Sequence, residues 1–315
     1  MHIPDERIHP ELRAFGRMAR RFPVSYGPVM LRLAAAAMKV ADAMRIWPGK
    51  SPRPKRVSIR RADGSSFSVS VFEPVGGAAD GAPAVLWIHG GGFALGAPLQ
   101  DFMFIDRFVA EGCVVVSPMY RVSVDEPYPA AFDDCYNTLL WMQDNCTNAD
   151  GSSRPIAVGG DSAGGNLCAA VCLKARDERS VSVRFQMPLY PMLDDRPTSS
   201  SRDNNAPVWN SEANESAWRM YLGELYGVED VPIYAAPARA KNLSGLPPCC
   251  TYVGDIEPFH DETVAYVGRL RAAGVPVDFR EFEGCFHGFD IVCPNSTPAR
   301  EAAEFLMTSF RRWMG

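Results

Sequence analysis

Pro155-Ile156-Ala157-Val158-Gly159-Gly160-Asp161-Ser162-Ala163-Gly164-Gly165-Asn166 joins an apolar run to a helix-compatible run over residues 167–175. Within it, Gly160 to Gly164 spell Gly-x-Ser-x-Gly. Strand, sharp turn carrying serine, then helix is the order of a nucleophile elbow. A serine on such a turn stands clear of its sheet, so a base and a substrate both reach its hydroxyl. Its backbone takes a sparsely populated conformation, and Gly160 and Gly164 relieve the crowding by having no side chains. The helix that follows aims its N-terminal amides at the oxygen that turns negative during acyl transfer. The motif also arises by chance as a glycine-rich turn around a buried serine, so the reading depends on companions elsewhere.

The first companion is His89-Gly90-Gly91-Gly92-Phe93, directly after the apolar run 84–88. Three glycines let the backbone approach a ligand closely and turn amides inward. Amides aimed at a developing oxyanion contribute roughly 3 kcal/mol per donor in acyl transfer. A phosphate cradle is the competing reading. No Gly-x-Gly-x-x-Gly run occurs in this loop, and no Gly-x-x-x-x-Gly-Lys-Ser/Thr run occurs anywhere in the chain. His89 leads the loop and is expected to anchor it through a hydrogen bond.

The second companion is a base. Histidine is the preferred proton shuttle near neutral pH, and the chain has five. His2 and His9 lie in the N-terminal region, and His260 stands beside Asp261 at a helix start. His287, in Gly284-Cys285-Phe286-His287-Gly288-Phe289, follows the strand predicted over 277–282 and precedes the last helix. That places it at the carboxyl edge of the sheet, where the elbow opens. The orienting acid is expected between Ser162 and His287, since the chain order in a fold with this elbow is Ser, acid, His. Asp255, Glu257 and Asp261 compete there. Asp261 reads as a first-turn helix residue, and position alone does not separate Asp255 from Glu257.

The remaining pattern predicts an α/β protein. Strands are expected at 57–61, 67–72, 84–88, 113–117, 156–158, 185–189, 249–253 and 277–282, and helices at 31–44, 101–111, 131–144, 261–273 and 298–314. Alternating strands and helices imply a mostly parallel central sheet with helices on both faces. Residues 190–246 break the alternation and hold Trp209, Trp218 and Tyr221. A long interruption above the carboxyl ends of the strands reads as a lid. The expected division is N-terminal cap helices over 1–54, a catalytic core over 55–189 and 247–315, and a cap insertion over 190–246.

Composition bounds the rest. The chain has 315 residues, 47% of them hydrophobic, 22% charged, with a net charge of −5. That balance suggests neither nucleic-acid binding nor attraction to acidic membranes. Residues 29–44 are interrupted by Arg32, Lys39 and Asp42, so they read as an amphipathic helix and no stable membrane insertion is expected. The start Met1-His2-Ile3-Pro4-Asp5-Glu6 is not a secretory leader. Nine cysteines without a Cys-x-x-Cys pair read as reduced thiols in a cytoplasmic protein. Neither His-Glu-x-x-His nor paired cysteine ligands occur, so no metal or organic cofactor is implied.

Taken together, His89-Gly-Gly-Gly-Phe93, Gly160-Asp-Ser-Ala-Gly-Gly-Asn166, Tyr190-Pro-Met-Leu-Asp-Asp195 and Phe286-His-Gly-Phe289 resemble the hormone-sensitive-lipase-like branch of the α/β-hydrolases, the bacterial carboxylesterase and acetyl esterase group. The resemblance covers residues 55–315. It implies the α/β-hydrolase fold with a helical cap, and an oxyanion hole built from Gly91, Gly92 and Ala163. The family's acid normally opens an Asp-Pro/Leu-Leu/Phe-x-Asp-Glu run. Laid on Glu257-Pro258-Phe259-His260-Asp261-Glu262, it makes Glu257 the acid, with Asp255 the alternative. It further implies a serine carboxylesterase acting on small, short-acyl esters through Ser162, His287 and Glu257. An amidase or formamidase with the same triad, and a non-catalytic binding protein on this scaffold, are the alternatives. Phe93, Trp209 and Trp218 are expected at the substrate pocket. The strand at 277–282 is expected to pair two copies into a homodimer, a place where relatives often pair.

Overall fold

Strand β3 (Ala84–Ile88) reads Ala-Val-Leu-Trp-Ile, and every one of its residues is buried. A strand covered on both faces has no solvent side, so it loses the apolar–polar alternation of a half-exposed strand. It lies in the middle of an eight-stranded sheet ordered β1-β2-β4-β3-β5-β6-β7-β8. The other strands are β1 (Lys55–Arg60), β2 (Ser66–Phe72), β4 (Val114–Pro118), β5 (Ile156–Asp161), β6 (Val183–Leu189), β7 (Cys249–Gly254) and β8 (Val277–Phe282). β1–β2 and β2–β4 are antiparallel, and every later pairing is parallel. The computed structural model describes residues 2–21, 27–44 and 47–315. Residues 1, 22–26 and 45–46 of the expected N-terminal helical segment lie outside the described residues.

The helices are α1 (Arg13–Arg21), α2 (Pro28–Ala43), α3 (Phe102–Ala110), α4 (Ala130–Asn145), α5 (Ala163–Glu178), α6 (Ser211–Leu222), α7 (His260–Ala272), α8 (Phe289–Val292) and α9 (Thr297–Met314). Side chains alternate across each strand, and the core divides accordingly. Ala84, Leu86 and Ile88 join a cluster with α4, α5 and α7, while Val85 and Trp87 join one with α3 and α9. Adjacent Cys249 and Cys250 fall in opposite clusters, as expected for neighbours on a strand.

Three adjustments to the expected elements bear on the site. β5 runs on to Asp161, so the ladder continues to the residue before Ser162. Residues 190–246 contain one α-helix, α6, whose N-cap Asn210 side chain accepts from the Ala213 amide; the rest of the segment is turns and irregular chain with short 3-10 helices at Gly223–Leu225 and Pro237–Arg239. The short α8, after His287, is too brief for a periodic pattern to reveal.

Sheet order also locates the crevice. β3 connects through α3 to β4 on one side, and β4 connects through α4 to β5 on the other side of β3. Where successive crossovers diverge, the loops leaving the carboxyl ends of the strands separate and open a cleft. The loop after β3 is the glycine loop, and the turn after β5 carries Ser162.

Candidate active site

Ser162 has φ 57 and ψ −120, a conformation that L side chains rarely adopt. The surroundings hold it there. Its amide donates to Leu189 O (2.9 Å) and its carbonyl accepts from the amides of Met192 (3.2 Å) and Asn166 (3.1 Å). A Cβ on Gly160 would lie 2.5 Å from the carbonyl oxygens of Ile88 and Gly164, and one on Gly164 would land on the Ile88 carbonyl. The elbow therefore requires glycine on either side through close backbone approach, the reason anticipated from sequence. Asn166, one turn into α5, donates through Nδ2 to Met192 O (2.7 Å) and Ala235 O (3.0 Å), tying the elbow helix to the 190–246 segment.

Ser162 Oγ–H donates to His287 Nε2 at 2.8 Å, and His287 Nδ1–H donates to Glu257 Oε2 at 2.5 Å. The three side chains, far apart in the chain, form one continuous hydrogen-bonded row, and all three are buried. Burial pushes the Glu257 carboxyl above its ordinary range; the neighbouring His287 and the Gly254 amide oppose that shift. Tyr190 and Phe259 present edge-on to the His287 ring at 5.1 and 4.9 Å between centroids, and Trp209 lies tilted at 6.0 Å. This aromatic collar restricts the ring to the orientation that its two hydrogen bonds select.

Asp255 is turned elsewhere. Its Oδ1 accepts from the Gly284 amide (2.6 Å) and its Oδ2 pairs with Arg7 (3.1 Å), so it braces the loop that carries His287 without touching the imidazole. Asp261 stands in the first turn of α7, where it accepts from the Ser200 amide (2.9 Å). His89 is buried and its ring does not meet Ser162 Oγ; its Nδ1 lies 2.9 Å from Gly90 O and its ring stacks on Tyr120 at 4.1 Å. Burial pushes its pKa down to about 4, so the ring stays neutral and braces the glycine loop.

That loop turns through positive φ at Gly91 (110°), Gly92 (59°) and Phe93 (59°). A Cβ on Gly91 would strike the Leu95 carbonyl, which accounts for glycine there. The amides of Gly91, Gly92 and Ala163 donate to no protein group among the described residues, and the Ala163 amide is one of the unsatisfied donors at the start of α5. The loop borders a cavity of about 260 Å³ lined by Leu31, Gly91, Gly92, Val208, Trp209 and Met220, an almost wholly apolar set. Trp209 is thus at the cavity. Phe93 is not: its ring stacks on Tyr221 at 3.7 Å. Trp218 packs beside them and borders a different cleft, with Asp195 and Arg202. Ser162, His287 and Glu257 line neither the cavity beside the glycine loop, which reaches the site through Gly91 and Gly92, nor the clefts of about 290, 320 and 420 Å³ elsewhere on the surface.

A set of buried carboxylates next to the site was not singled out from the sequence. Asp161 precedes Ser162, its carboxyl interacts with that of Asp101, and Trp87 Nε1–H donates to Asp101 Oδ2 at 2.9 Å. Burial pushes Asp161 up to about 6 and Asp101 well above the carboxylate range, so the pair holds a proton. Asp290 accepts from the Tyr252 hydroxyl at 2.5 Å. The signal available was Trp87 itself: an indole inside an all-apolar strand requires an acceptor. Among the described residues, no group of three or more His, Cys, Asp or Glu side chains is arranged to hold a metal ion.

Comparison with known proteins places the chain in a family. The family model for the alpha/beta hydrolase fold matches residues 85–291, which span the glycine loop, elbow and His287. Esterase LipI of Mycobacterium tuberculosis is 35% identical over 211 residues, 66% of either chain. Carboxylesterase NlhH of the same organism is 34% identical over 229 residues, 70% of this chain and 71% of its own. Among solved structures, a bacterial heroin esterase superimposes with a TM-score of 0.86 at 35% identity, covering 98% of this chain and 99% of that one. The chain belongs to the hormone-sensitive-lipase-like family of α/β hydrolases, in its carboxylesterase group of serine hydrolases.

Proposed function

We propose that the protein cleaves small, short-acyl esters through an acyl-enzyme, with Ser162 as nucleophile, His287 as general base and acid, and Glu257 as the carboxylate that orients the histidine. The hydrogen-bonded row from Ser162 Oγ through His287 to Glu257 Oε2 carries this reading. As Oγ attacks the ester carbonyl, His287 Nε2 takes its proton, and Glu257 fixes the tautomer and stabilises the imidazolium. The amides of Gly91, Gly92 and Ala163 hold the oxyanion. His287 then protonates the departing alcohol and deprotonates the water that releases the acid.

Residues 1–54 and 190–246 together act as a cap over a core of 55–189 and 247–315. In support, Leu31 from the first segment and Val208, Trp209 and Met220 from the second meet at the cavity beside the glycine loop. The apolar lining favours an uncharged acyl or alcohol group. Stopped-flow hydrolysis of p-nitrophenyl acetate tests the mechanism. Expected is a burst of nitrophenolate equal to the enzyme, lost with turnover in Ser162→Ala at an unchanged melting temperature. A Ser162→Ala protein turning over near the wild-type rate, or a matched anilide cleaved in preference, defeats the assignment.

A further inference from the structure

α2 presents an apolar face to solvent. Leu31, Ala35, Met38 and Asp42 recur at helical intervals and form its inner stripe; three are buried and Met38 is half-buried. Val29, Leu33, Ala37, Val40 and Met44 recur at intervals of four, four, three and four on the opposite side. They stand in solvent: Val29 is 68% exposed, Leu33 61%, Val40 56% and Met44 69%. A surface helix of a globular protein carries one apolar stripe, and a helix apolar on two opposite sides is covered on both. Contiguous exposed apolar side chains mark an interaction surface.

The charge of the chain segment that carries α2 identifies the cover. Residues 1–60 hold 13 of the 32 Lys and Arg but only 4 of the 37 Asp and Glu, a net of +9, while the rest of the chain carries −14. The overall −5, read above as arguing against acidic membranes, averages two unlike regions. Arg32 and Lys39 flank the outer stripe and share one carboxylate, Asp125, at 3.5 and 3.7 Å. Arg17 and Arg20 likewise share Asp5. Two cations on one anion leave a positive excess. Exposed Arg21 and Arg53 have no ion pair among the described residues.

We propose that the outer face of α2, with Arg32 and Lys39 along its side and the net-positive chain segment that carries it, docks peripherally on an anionic lipid bilayer. A helix with an apolar face and basic flanks lies in the plane of such an interface, the apolar residues among the acyl chains and the basic ones at the headgroups. A second copy of the chain is the poorer cover, because it would bring two segments of net +9 together. Among the described residues no helix is long and apolar enough to cross a membrane, so the attachment is to one surface. The same helix lends Leu31 to the cavity beside the glycine loop. Docking therefore sets that cavity roughly 10 Å, one helix diameter, from the lipid.

Flotation of the full chain with vesicles tests this. Expected is co-flotation with phosphatidylcholine vesicles containing phosphatidylglycerol, weakened by salt, and little with phosphatidylcholine alone. The Leu33→Glu/Val40→Glu protein should partition at least about tenfold less while hydrolysing soluble p-nitrophenyl acetate at the wild-type rate. That control separates loss of docking from loss of fold or of esterase activity. Leu33→Ser/Val40→Ser repeats the test without added charge and should lower partition in the same direction. Failure of the wild type to float with phosphatidylglycerol vesicles overturns the proposal. So does a dimer in light scattering that the Glu variant converts to monomer, which would make a second copy the cover.

Discussion

Glu257 Oε2 lies 2.5 Å from His287 Nδ1, while Asp255, two residues earlier in the same loop, bonds to the Gly284 amide and Arg7. One carboxylate meets the imidazole and the other holds the loop that presents it. Glu257→Gln removes the charge that stabilises imidazolium and offers the wrong partner to Nδ1–H. We expect kcat to fall by about 10²–10⁴-fold with little change in KM. Asp255→Asn keeps both loop contacts in weaker form and should cost less than about tenfold. Steady-state kinetics on both proteins, after matching melting curves, decide it; a crippled Asp255→Asn beside an active Glu257→Gln reverses the assignment.

We propose that the acyl chain of the substrate enters the cavity beside Gly91 and Gly92. At roughly 30 Å³ for a water-sized group, its volume of about 260 Å³ holds about eight or nine such groups, so acetyl and butyryl fit inside it and a decanoyl chain overfills it. Across p-nitrophenyl esters, kcat/KM is expected to be highest between acetyl and butyryl and to fall at least about tenfold by decanoyl. Met220→Trp fills the cavity and should penalise butyryl more than acetyl. A flat profile, or a rise toward decanoyl, contradicts the short-acyl reading.

Asp161 supplies a stability test. Burial raises its carboxyl to about 6 in the fold, against an unfolded value near 4. Between those values the folded protein keeps a proton that the unfolded chain gives up, so folding is favoured at the acid end. That advantage is fully present below about pH 4 and disappears as pH rises through about 6, at a cost of up to about 3 kcal/mol. Asn does not titrate, so the melting temperature of Asp161→Asn minus that of wild type should rise from pH 4 to pH 7. A difference that is constant with pH removes Asp161 as the titrating group.

Among the described residues, β8 ends the sheet and has a strand partner on one side only, β7. Charges on an edge strand ordinarily deter pairing. Those of β8 are engaged within the chain: Asp278 with Arg312 at 2.7 Å, Glu281 with His260 at 2.7 Å, and Arg280 with Glu301. The edge is thereby open to a second copy, and we expect light scattering at micromolar concentration to give a dimer mass. A monomer mass excludes this pairing.

How much of the site was legible follows from the range over which each feature is decided. Gly160, Ser162 and Gly164 announce an elbow because the constraint on them is local: a backbone at φ 57 packed against the Ile88 carbonyl tolerates few residues. The triple glycine after β3 is legible for the same reason. Placing His287 at the site required only the strand before it and the order of the chain.

Pattern and spacing in the sequence thus determined the α/β class, the elbow, the glycine loop and the histidine, because each is encoded within a few neighbouring residues. The tertiary structure alone separated Glu257 from Asp255, since both lie in one loop and only the path of that loop past Gly284 decides which carboxylate faces the imidazole. It alone brought Asp101 against Asp161, 60 residues away in the chain, and sent the Phe93 ring to Tyr221 while Trp209 borders the cavity. It alone showed that α2, apolar on two sides, covers the protein with one of them. These are matters of packing between distant segments, and a side chain's partner across the fold leaves no mark in the residues beside it.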